Sequence, residues 1–406
     1  MKILICTIGS RGEVQPSLAL ALELKALGHA AVLCVSPNYQ TWVESLGVAC
    51  VPVGQDVRKA SARIAESQRK KPSRAKMRKL MREGLRGTIR EWFKVLGEAA
   101  RGCDLVVVGG AMQCAGASIA QVLQIPYVYT AFSPDTLPSP NHPPPMIRSQ
   151  SLPTLANRLL WVTSRWTWNR LFRDALNEER AGLGLAPISD VPSHIFTDRP
   201  WLAADPVLGP AASPDLQITQ TGAWFLSEST PLPDELEQFL SEGEPPLYFG
   251  FGSMQASAQS APLVIETARA LGRRALVSQG WANLSLIDAG ADCMSIGDVA
   301  HEKLFPRVAA IVHHGGAGTT ATAARAGKPQ IIVPHMYDQY YWAHRVKRLG
   351  VGVSGPVANR LTVGELVAAL REGLKPKMTT GAQALAARIE LHGARIAAQR
   401  LIQEYG

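Results

Sequence analysis

The sequence predicts an α/β protein built of two doubly wound domains that face each other across a cleft. Three observations support this fold class. The chain has 406 residues, which is long for one domain and suits two. Hydrophobic residues make up 46% and charged residues 18%, a balance that permits two sizeable cores. Short apolar runs alternate with helical patterns in both halves, which predicts parallel strands joined by right-handed crossovers.

In the N-terminal half, the apolar pattern predicts strands over residues 2–8, 30–35 and 48–53, with helices over 14–27 and 39–46 between them. Gly28 stands where a helix C-terminus needs it. The same unit recurs over residues 105–130. A loop with six prolines follows over 133–145, and then an aromatic helix over 152–176.

In the C-terminal half, a second series of strands is predicted over 247–251, 275–278, 309–313 and 330–333. Helices are expected over 261–271, 319–326, 340–349 and 362–374, with one long helix over 381–405. These elements predict an N-terminal domain over 1–216 and a C-terminal domain over 217–387. The last helix, about 388–406, is expected to pack back on the first domain.

The six cysteines are scattered and include no C-x-x-C pair, so a disulfide framework is not expected. The apolar run after Lys2 is too short for a signal peptide, and no run of about 20 apolar residues occurs. These features predict a cytoplasmic protein.

The formal net charge is +9, and residues 58–94 carry fourteen Lys and Arg against three acids. One interpretation of this segment, Arg58 to Lys94, is a solvated helical face. The other is peripheral contact with an anionic membrane, since lipid headgroups attract basic segments. A nucleic-acid partner is not expected, because Trp92 and Phe93 are the segment's only aromatics and form no stacking platform.

The strongest local signal is the turn from the strand ending at His313 into His314-Gly315-Gly316-Ala317-Gly318-Thr319-Thr320. Glycines there let the backbone approach a ligand, and the following helix offers unpaired N–H groups and a positive dipole end. Hydroxyl and imidazole donors add to this set. A diphosphate is therefore the expected ligand, and a turn that needs glycine only for packing is the alternative.

This turn and four further segments together resemble the nucleotide-sugar glycosyltransferases of the GT-B fold, in the branch that glycosylates sterols, lipids and natural-product aglycones. The segments are Gly250-Phe251-Gly252-Ser253, Ser278-Gln279-Gly280-Trp281, Gly297-Asp298-Val299-Ala300-His301 and Pro334-His335-Met336-Tyr337-Asp338-Gln339. The resemblance covers nearly the whole chain. It is strongest over 9–16 and 249–352, and weak between about 55 and 245.

The resemblance implies a donor site in the C-terminal half. Trp281 would flank the nucleobase, Val299 would read the base edge through its backbone, and His301 would lie near the ribose. Asp338 and Gln339 would bind the sugar hydroxyls. The residues that would hold the phosphates are His314, Gly316, Gly318 and Thr319, assisted by Ser253. Individually, Trp281 is also compatible with a core position and Asp338 with a helix N-cap.

Glu13 matches the position of the family's general base, which takes the proton of the acceptor hydroxyl. The family usually has Asp there, and other branches have His. The helix dipole favours the Glu13 anion and lowers its pKa, whereas burial would raise it. Ser10 and Arg11, at the same turn, are expected to reach the diphosphate across the cleft.

No D-x-D pair occurs, so a metal-bridged diphosphate is not expected, and no cofactor besides the nucleotide sugar is implied. The histidines at 313, 314 and 335 match no zinc-site spacing. The leaving group would instead be stabilised by the helix N-terminus and His314.

Together these features predict an inverting hexosyltransferase. UDP-glucose is the first candidate donor by family frequency, followed by a dTDP- or UDP-deoxysugar. The acceptor is expected to be a sterol, flavonoid, polyketide or lipid, bound near Phe132 and Trp161 in the N-terminal domain. Two alternatives remain: a sugar-nucleotide epimerase of the same architecture, and a catalytically silent partner protein, which the Glu at position 13 keeps open.

Overall fold

The computed structural model describes residues 1–56, 74–110, 114–228, 230–251, 260–279, 290–357 and 361–406, with the side chains of 74–82, 260 and 261 left out. It contains two parallel sheets, which confirms the predicted fold class. The first sheet has the order β3-β2-β1-β4-β5-β6-β7. Its strands are β1 (Lys2–Thr7), β2 (Ala30–Val35), β3 (Ala49–Pro52), β4 (Leu105–Gly109), β5 (Tyr127–Ala131), β6 (Trp201–Leu202) and β7 (Thr219–Gln220).

The second sheet has six described strands in the order β10-β9-β8-β11-β12-β13. They are β8 (Leu247–Gly250), β9 (Ala275–Ser278), β10 (Cys293–Ile296), β11 (Ala310–His313), β12 (Gln330–Ile332) and β13 (Gly352–Ser354). In both sheets the chain order reverses beside the first strand of the domain. Ligands of doubly wound sheets bind at such a switch point, beyond the carboxyl ends of the strands.

Helices cover the faces of both sheets. Around the first sheet lie α1 (Arg11–Ala26), α2 (Gln40–Ser45), α3 (Arg74–Ala99), α4 (Gly116–Leu123), α5 (Thr154–Gly182) and α6 (Val191–Phe196). The later helices are α7 (Asp234–Ser241), α8 (Ser260–Ala270), α9 (His301–Leu304), α10 (Ala317–Arg325), α11 (Gln339–Arg348), α12 (Val363–Gly373), α13 (Pro376–Ala386) and α14 (Gly393–Tyr405). The basic segment thus enters the described chain as α3.

Central strands are buried on both faces, which is why they appear in the sequence as continuous apolar runs. β1 pairs with β2 through Ile3 and Ala31, and with β4 through Ile3 and Leu105. These side chains are buried. The register places the glycine turn after β1 beside Gly109 at the end of β4, so both turns open at the same edge of the sheet.

The two domains share an apolar contact. Trp342 of α11 belongs to the same cluster of buried side chains as Leu208 and Ala223, which lie before and after β7 of the first sheet. A Cβ on Gly209 would lie 2.7 Å from the Trp342 ring, so the backbone there approaches the indole closely. The Arg345 guanidinium donates to the Leu208 carbonyl at 2.8 Å. This contact joins the two domains through α11.

The C-terminal tail corrects the prediction of one long helix over 381–405. The chain breaks between α13 and α14 because it crosses back to the first domain there. A Cβ on Gly393 would lie 2.5 Å from the Ala223 carbonyl oxygen, so the returning chain touches the outgoing one. α14 then packs on α1, with Ala397 and Leu401 fully buried. The first sheet also continues past residue 216, since β7 ends at Gln220.

All six cysteines lie in the described chain as free thiols. Within the same residues, helices that combine enough length with enough apolar character to cross a membrane are absent.

Candidate functional site

The glycine turn of the second domain has the backbone that a ligand loop needs. After β11, Gly315 adopts a φ of +95°, and a Cβ there would lie 2.5 Å from Ile332 Cγ2. Gly316 is the extended N-cap residue of α10. Gly318, in the first turn of α10, is exposed, and a Cβ there would meet nothing within 4 Å. The turn therefore presents open backbone at a helix N-terminus.

His313 supports this turn from behind. Its Nδ1 accepts the Gly315 backbone N–H at 3.1 Å, and its Nε2 lies 3.0 Å from Gln330 Oε1. Since Nδ1 accepts, the Nε2 carries the proton. Burial lowers the pKa of His313 to about 3, so the ring stays neutral in this role. His313 is thus a structural residue of the turn.

His314 lies at the mouth of the turn, half-buried. Burial, followed by the charge of the neighbouring His335, lowers its pKa to about 4. A Cβ on Gly316 would lie 2.7 Å from His314 Nε2, so the ring covers the start of α10. Its Nδ1 has no hydrogen-bond partner among the described residues. A neutral ring in this position has one N–H donor and one acceptor nitrogen.

The two threonines of the turn differ. Thr320 is buried and donates its hydroxyl to the Gly316 carbonyl at 2.9 Å, so the expected contribution of this hydroxyl to the ligand is not present. Thr319 is half-buried in the first turn of α10, beside the open backbone of Gly318. Among the predicted phosphate residues, Ser253 lies outside the described chain.

Asp338 stands at the N-cap position of α11, but its side chain makes no capping bond. Its Oδ2 accepts the Trp342 indole N–H at 2.9 Å, and the Ala317 backbone N–H also bonds to it. Burial, followed by the negative charge of Glu13, raises the pKa of Asp338 to about 7. The carboxyl therefore lies beside the N-terminus of α10 and within electrostatic range of the first domain.

Gln339 has a different environment from the predicted sugar contact. It is 5% exposed, and its Oε1 accepts the backbone N–H groups of His335 at 2.7 Å and Met336 at 3.1 Å. The amide oxygen thus fixes the loop that carries Asp338. In this conformation the predicted hydrogen bonds to sugar hydroxyls rest on Asp338.

Glu13 forms a capping box with Ser10 at the start of α1. Its Oε2 accepts the Ser10 backbone N–H and the Ser10 hydroxyl, both at 2.7 Å. Burial raises the pKa of Glu13, and the bonds from Ser10 oppose the change. The effect of burial on the Glu13 pKa is therefore larger than the opposing effect of its position at the helix start. Because Ser10 donates to Glu13, its predicted contact with the diphosphate competes with this bond.

Arg11 crosses the cleft, as the sequence predicts, but it meets carboxylates. Its Nη2 lies 2.9 Å from Glu228 Oε1 and its Nη1 lies 3.5 Å from Asp298 Oδ2. The guanidinium also stacks over Trp42, at 4.8 Å from the ring centroid. Arg11 thus connects α1 to the segment before β8, through Glu228, and to the segment after β10, through Asp298.

Of the three residues predicted to bind the nucleobase and ribose, His301 and Val299 lie in the described chain. His301 lies 3.0 Å by its Nε2 from the Tyr248 hydroxyl and stacks on Phe305, and burial lowers its pKa to about 4. Val299 is half-buried and lines a cavity of about 180 Å³ together with Leu236 and Ile296. Trp281 lies outside the described chain.

The predicted acceptor residues mainly support the structure. Phe132 packs edge-on against Trp224, with ring centroids 5.9 Å apart. Trp161 donates its indole N–H to the His142 carbonyl at 3.0 Å, and the His142 ring lies 5.6 Å from Tyr341 of α11. The proline-rich loop is therefore fixed between α5 and α11, at the edge of the cleft.

Asp135, in this loop, is a site feature that the sequence analysis missed. It is fully buried, its Oδ1 accepts the Ser133 hydroxyl at 2.5 Å, and its Oδ2 has no partner among the described residues. Burial and the charge of Asp338 raise its pKa well above the usual range. In the sequence, Asp135 stands out only as the single acidic residue of the proline-rich loop. Asp338 thus lies within electrostatic range of both Asp135 and Glu13.

In the chain that the structure describes, no group of three or more His, Cys, Asp and Glu side chains has an arrangement that could hold a metal ion.

Comparison with known proteins gives matches over the whole chain. The family described as "Glycosyltransferase family 28 N-terminal domain" matches residues 3–138, and "Erythromycin biosynthesis protein CIII-like, C-terminal domain" matches 290–391. Vancomycin aglycone glucosyltransferase of Amycolatopsis orientalis is 42% identical over 99% of this chain and 97% of its own length. From the same organism, dTDP-epi-vancosaminyltransferase is 43% identical over 93% and 91%. The solved structure of glycosyltransferase VinC in complex with dTDP has the same fold, with a TM-score of 0.69, 20% identity and full coverage of both chains.

Proposed function

Because the chain belongs to the nucleotide-sugar glycosyltransferases of the GT-B fold, in their natural-product branch, we propose that it is an inverting, metal-independent hexosyltransferase. The donor is a UDP- or dTDP-sugar carrying glucose or a deoxysugar. The acceptor is a hydroxyl of a hydrophobic natural product, and a glycopeptide aglycone is the first candidate because the relatives' names contain vancomycin aglycone and vancosamine.

The observation that carries this proposal is the approach of Glu13 and Asp338 across the cleft. Glu13 belongs to the first domain and Asp338 to the second, and the charge of one raises the pKa of the other. Asp338 also accepts the N–H of Ala317, the first residue of α10. A carboxyl suited to a base thus lies within electrostatic range of one suited to a sugar, and the second carboxyl bonds to the helix N-terminus suited to phosphate.

In the proposed reaction, Glu13 accepts the proton of the acceptor hydroxyl as its oxygen attacks the anomeric carbon. The bond between that carbon and the diphosphate oxygen breaks in the same step, and the nucleoside diphosphate leaves with the electron pair. Burial favours this role, since a raised pKa makes Glu13 a stronger base. Single displacement from the opposite face inverts the anomeric configuration.

The leaving group develops negative charge at the N-terminus of α10. The open backbone around Gly318 and the His314 ring would stabilise it without a metal ion. Arg11 adds a cation if it exchanges Glu228 for the diphosphate, since a guanidinium binds both groups in the same geometry. Val299 and His301 are proposed to contact the base and ribose.

The test compares Glu13→Ala, Glu13→Gln and the unchanged protein in release of UDP or dTDP from its sugar donor with vancomycin aglycone. We expect both variants to lose about 100-fold or more in kcat, as for removal of a general base, and to retain nucleotide binding. Glu13→Gln is the matched control for folding, because its amide oxygen still accepts the Ser10 N–H. Unchanged turnover in Glu13→Gln would remove Glu13 from the mechanism.

The same assay separates the alternatives. An epimerase would isomerise the donor without an acceptor, whereas a silent partner would release no nucleotide with any acceptor. The configuration of the product at the anomeric carbon tests inversion directly. Full turnover after exhaustive chelation of divalent ions tests metal independence.

We also propose that the basic segment and α5 form a contact with anionic membranes. Four apolar side chains at helical spacing, Leu155, Leu159, Val162 and Trp166, are each 60–70% exposed along α5. Between residues 154 and 173 the sequence has four arginines and no acid. Such a face suits the boundary between lipid headgroups and acyl chains.

The neighbouring helix α3 extends this basic surface. Arg86 of α3 lies 2.9 Å from Glu178 of α5, and Arg90 lies 3.1 Å from Glu179. The ion pairs hold α3 beside the C-terminal half of α5, so the two helices are neighbours on the domain. A symmetric pairing of two such faces would bring arginines together, which disfavours a second copy as the occupant.

Flotation with vesicles of phosphatidylcholine, with and without phosphatidylglycerol, tests this contact. We expect binding only to the anionic vesicles, and at least a tenfold loss when Leu159 and Val162 are both changed to Gln. Thr163→Gln is the matched control on the same helix. Equal flotation of the double variant and the control would refute the proposal, as would a salt-independent binding.

A further inference from the structure

Two residues from opposite sides of the cleft hold each other at its rim. Met146, at the end of the proline-rich loop, donates its backbone N–H to the Tyr337 carbonyl at 3.3 Å. Tyr337, in the loop between β12 and α11, donates its backbone N–H to the Met146 sulfur at 3.2 Å. We call Met146 and Tyr337 the rim clasp.

Both residues of the rim clasp adopt the left-handed backbone conformation. The φ of Met146 is +77° and that of Tyr337 is +53°, and only two other non-glycine residues of the described chain have positive φ. A side chain in this region is unfavourable, and such strain concentrates where the surroundings enforce it for function. Here Gln339 fixes the Tyr337 loop and Trp161 fixes the Met146 loop.

The side chains of the rim clasp remain largely open to solvent. Met146 is 54% exposed and Tyr337 is 60% exposed. Asp338 follows Tyr337 in the chain, and its carboxyl is within the electrostatic range of Glu13. An aromatic ring and a thioether, one from each domain, are therefore exposed beside the chain segment that carries Asp338.

We propose that the rim clasp contacts the acceptor and determines its specificity, binding the flat aromatic or aliphatic face next to the reacting hydroxyl. The proposal rests on the transferase function above. The hydroxyl has to lie about 3 Å from both the base and the anomeric carbon, so the body of the acceptor extends outward from Glu13 and Asp338. Aromatic and thioether groups at that exit recognise apolar faces.

This assignment differs from the sequence-based one. Trp161 was expected to contact the acceptor, but its indole N–H bonds to His142 and its ring faces that residue. It supports the loop that ends in Met146. The proposed acceptor contact therefore includes the rim, where the second domain contributes Tyr337.

The experiment uses vancomycin aglycone as the probe and calorimetric titration in the presence of dTDP, for Tyr337→Gly and Tyr337→Phe. Tyr337→Gly removes the ring and also relieves the backbone strain, so the variant is expected to fold. We expect aglycone affinity to fall about tenfold, the factor for about 1.4 kcal/mol, with dTDP affinity unchanged. Tyr337→Phe keeps the ring and is expected to match the unchanged protein.

Met146→Ala gives the second half of the test and is expected to weaken aglycone binding without affecting dTDP. Equal aglycone affinity in Tyr337→Gly and the unchanged protein would overturn the proposal, as would an equal loss of dTDP affinity or an unchanged protein that does not bind the aglycone. Binding that responds to Tyr337, together with no nucleotide release from a sugar donor, would refute the transferase function and leave the rim clasp standing.

Discussion

Gly315 and Gly318 lie three residues apart in the same turn, and their replacement by alanine should have opposite effects. Gly315 has a φ of +95°, and its Cβ would lie 2.5 Å from Ile332 Cγ2 and 3.3 Å from the Gln339 carbonyl oxygen. Ile332 is fully buried in β12, so it has no space to move. The backbone conformation costs about 1–2 kcal/mol and the overpacking about 1–3 kcal/mol. Gly315→Ala should therefore destabilise the protein by roughly 2–5 kcal/mol.

Gly318→Ala should instead affect the ligand. Gly318 is exposed in the first turn of α10, and its Cβ would meet nothing within 4 Å. Alanine is about 0.5–1 kcal/mol better than glycine in a helix, so the free protein should be as stable as before or slightly more stable. If the backbone there cradles the diphosphate, the new methyl group occupies ligand space, and dTDP affinity should fall at least tenfold.

Gly364 provides a matched control. It is the second residue of α12, as Gly318 is of α10, and a Cβ on it would also meet nothing within 4 Å. Gly364→Ala should give the same gain in urea unfolding and leave calorimetric titration with dTDP or UDP unchanged. A Gly318→Ala protein that binds nucleotide as tightly as the control would show that the turn needs glycine for packing alone. A Gly315→Ala protein of unchanged stability would refute the steric calculation.

Three further predictions concern charges at the cleft. Arg11→Ala should raise the KM for the donor, whereas Glu228→Gln should lower it, because it releases Arg11 from the 2.9 Å ion pair. If both variants change this KM in the same direction, Arg11 does not bind the diphosphate. The pKa of Asp338 is raised from 3.8 to about 7, so its protonated form favours folding, and this contribution is lost as pH rises across that window. Asp338→Asn should therefore be more stable than the unchanged protein above neutral pH, and urea unfolding across pH should show a flatter profile. Trp342→Phe removes a hydrogen bond that lowers the pKa of Asp338, so the acid limb of the kcat–pH profile should shift to higher pH. A limb that stays at the same pH would exclude Asp338 as the titrating group.

Much of the fold was predictable because buried parallel strands appear in the sequence as unbroken apolar runs. The predicted bounds of β2 and β9 are those of the structure. The tail was wrong because local helical preference continues through residues 387–392, whereas the break there is imposed by contact with Gly222 and Ala223. The sequence predicts that the last helix packs back on the first domain, but it does not show where a contact between segments about 170 residues apart breaks the helix.

The candidate site shows a different limit. Sequence positions indicate which side chains have donors and acceptors, but local backbone groups use some of them first. Ser10 donates to Glu13, Thr320 to Gly316, and Gln339 accepts two N–H groups of its own loop. Asp135 was missed for the converse reason, since its importance comes only from its proximity to Asp338 in space.

The return of α14 to the first domain has a consequence for synthesis. Ala397, Ala398 and Leu401 complete the apolar cluster that covers α1, so this core stays open until those residues have been made. The second sheet, from β8 to β13, has by then been produced in full. Domains tend to fold in the order in which they emerge from the ribosome. The N-terminal domain is therefore synthesised first but should complete its fold last. The second domain should fold before α14 has joined the core of the first.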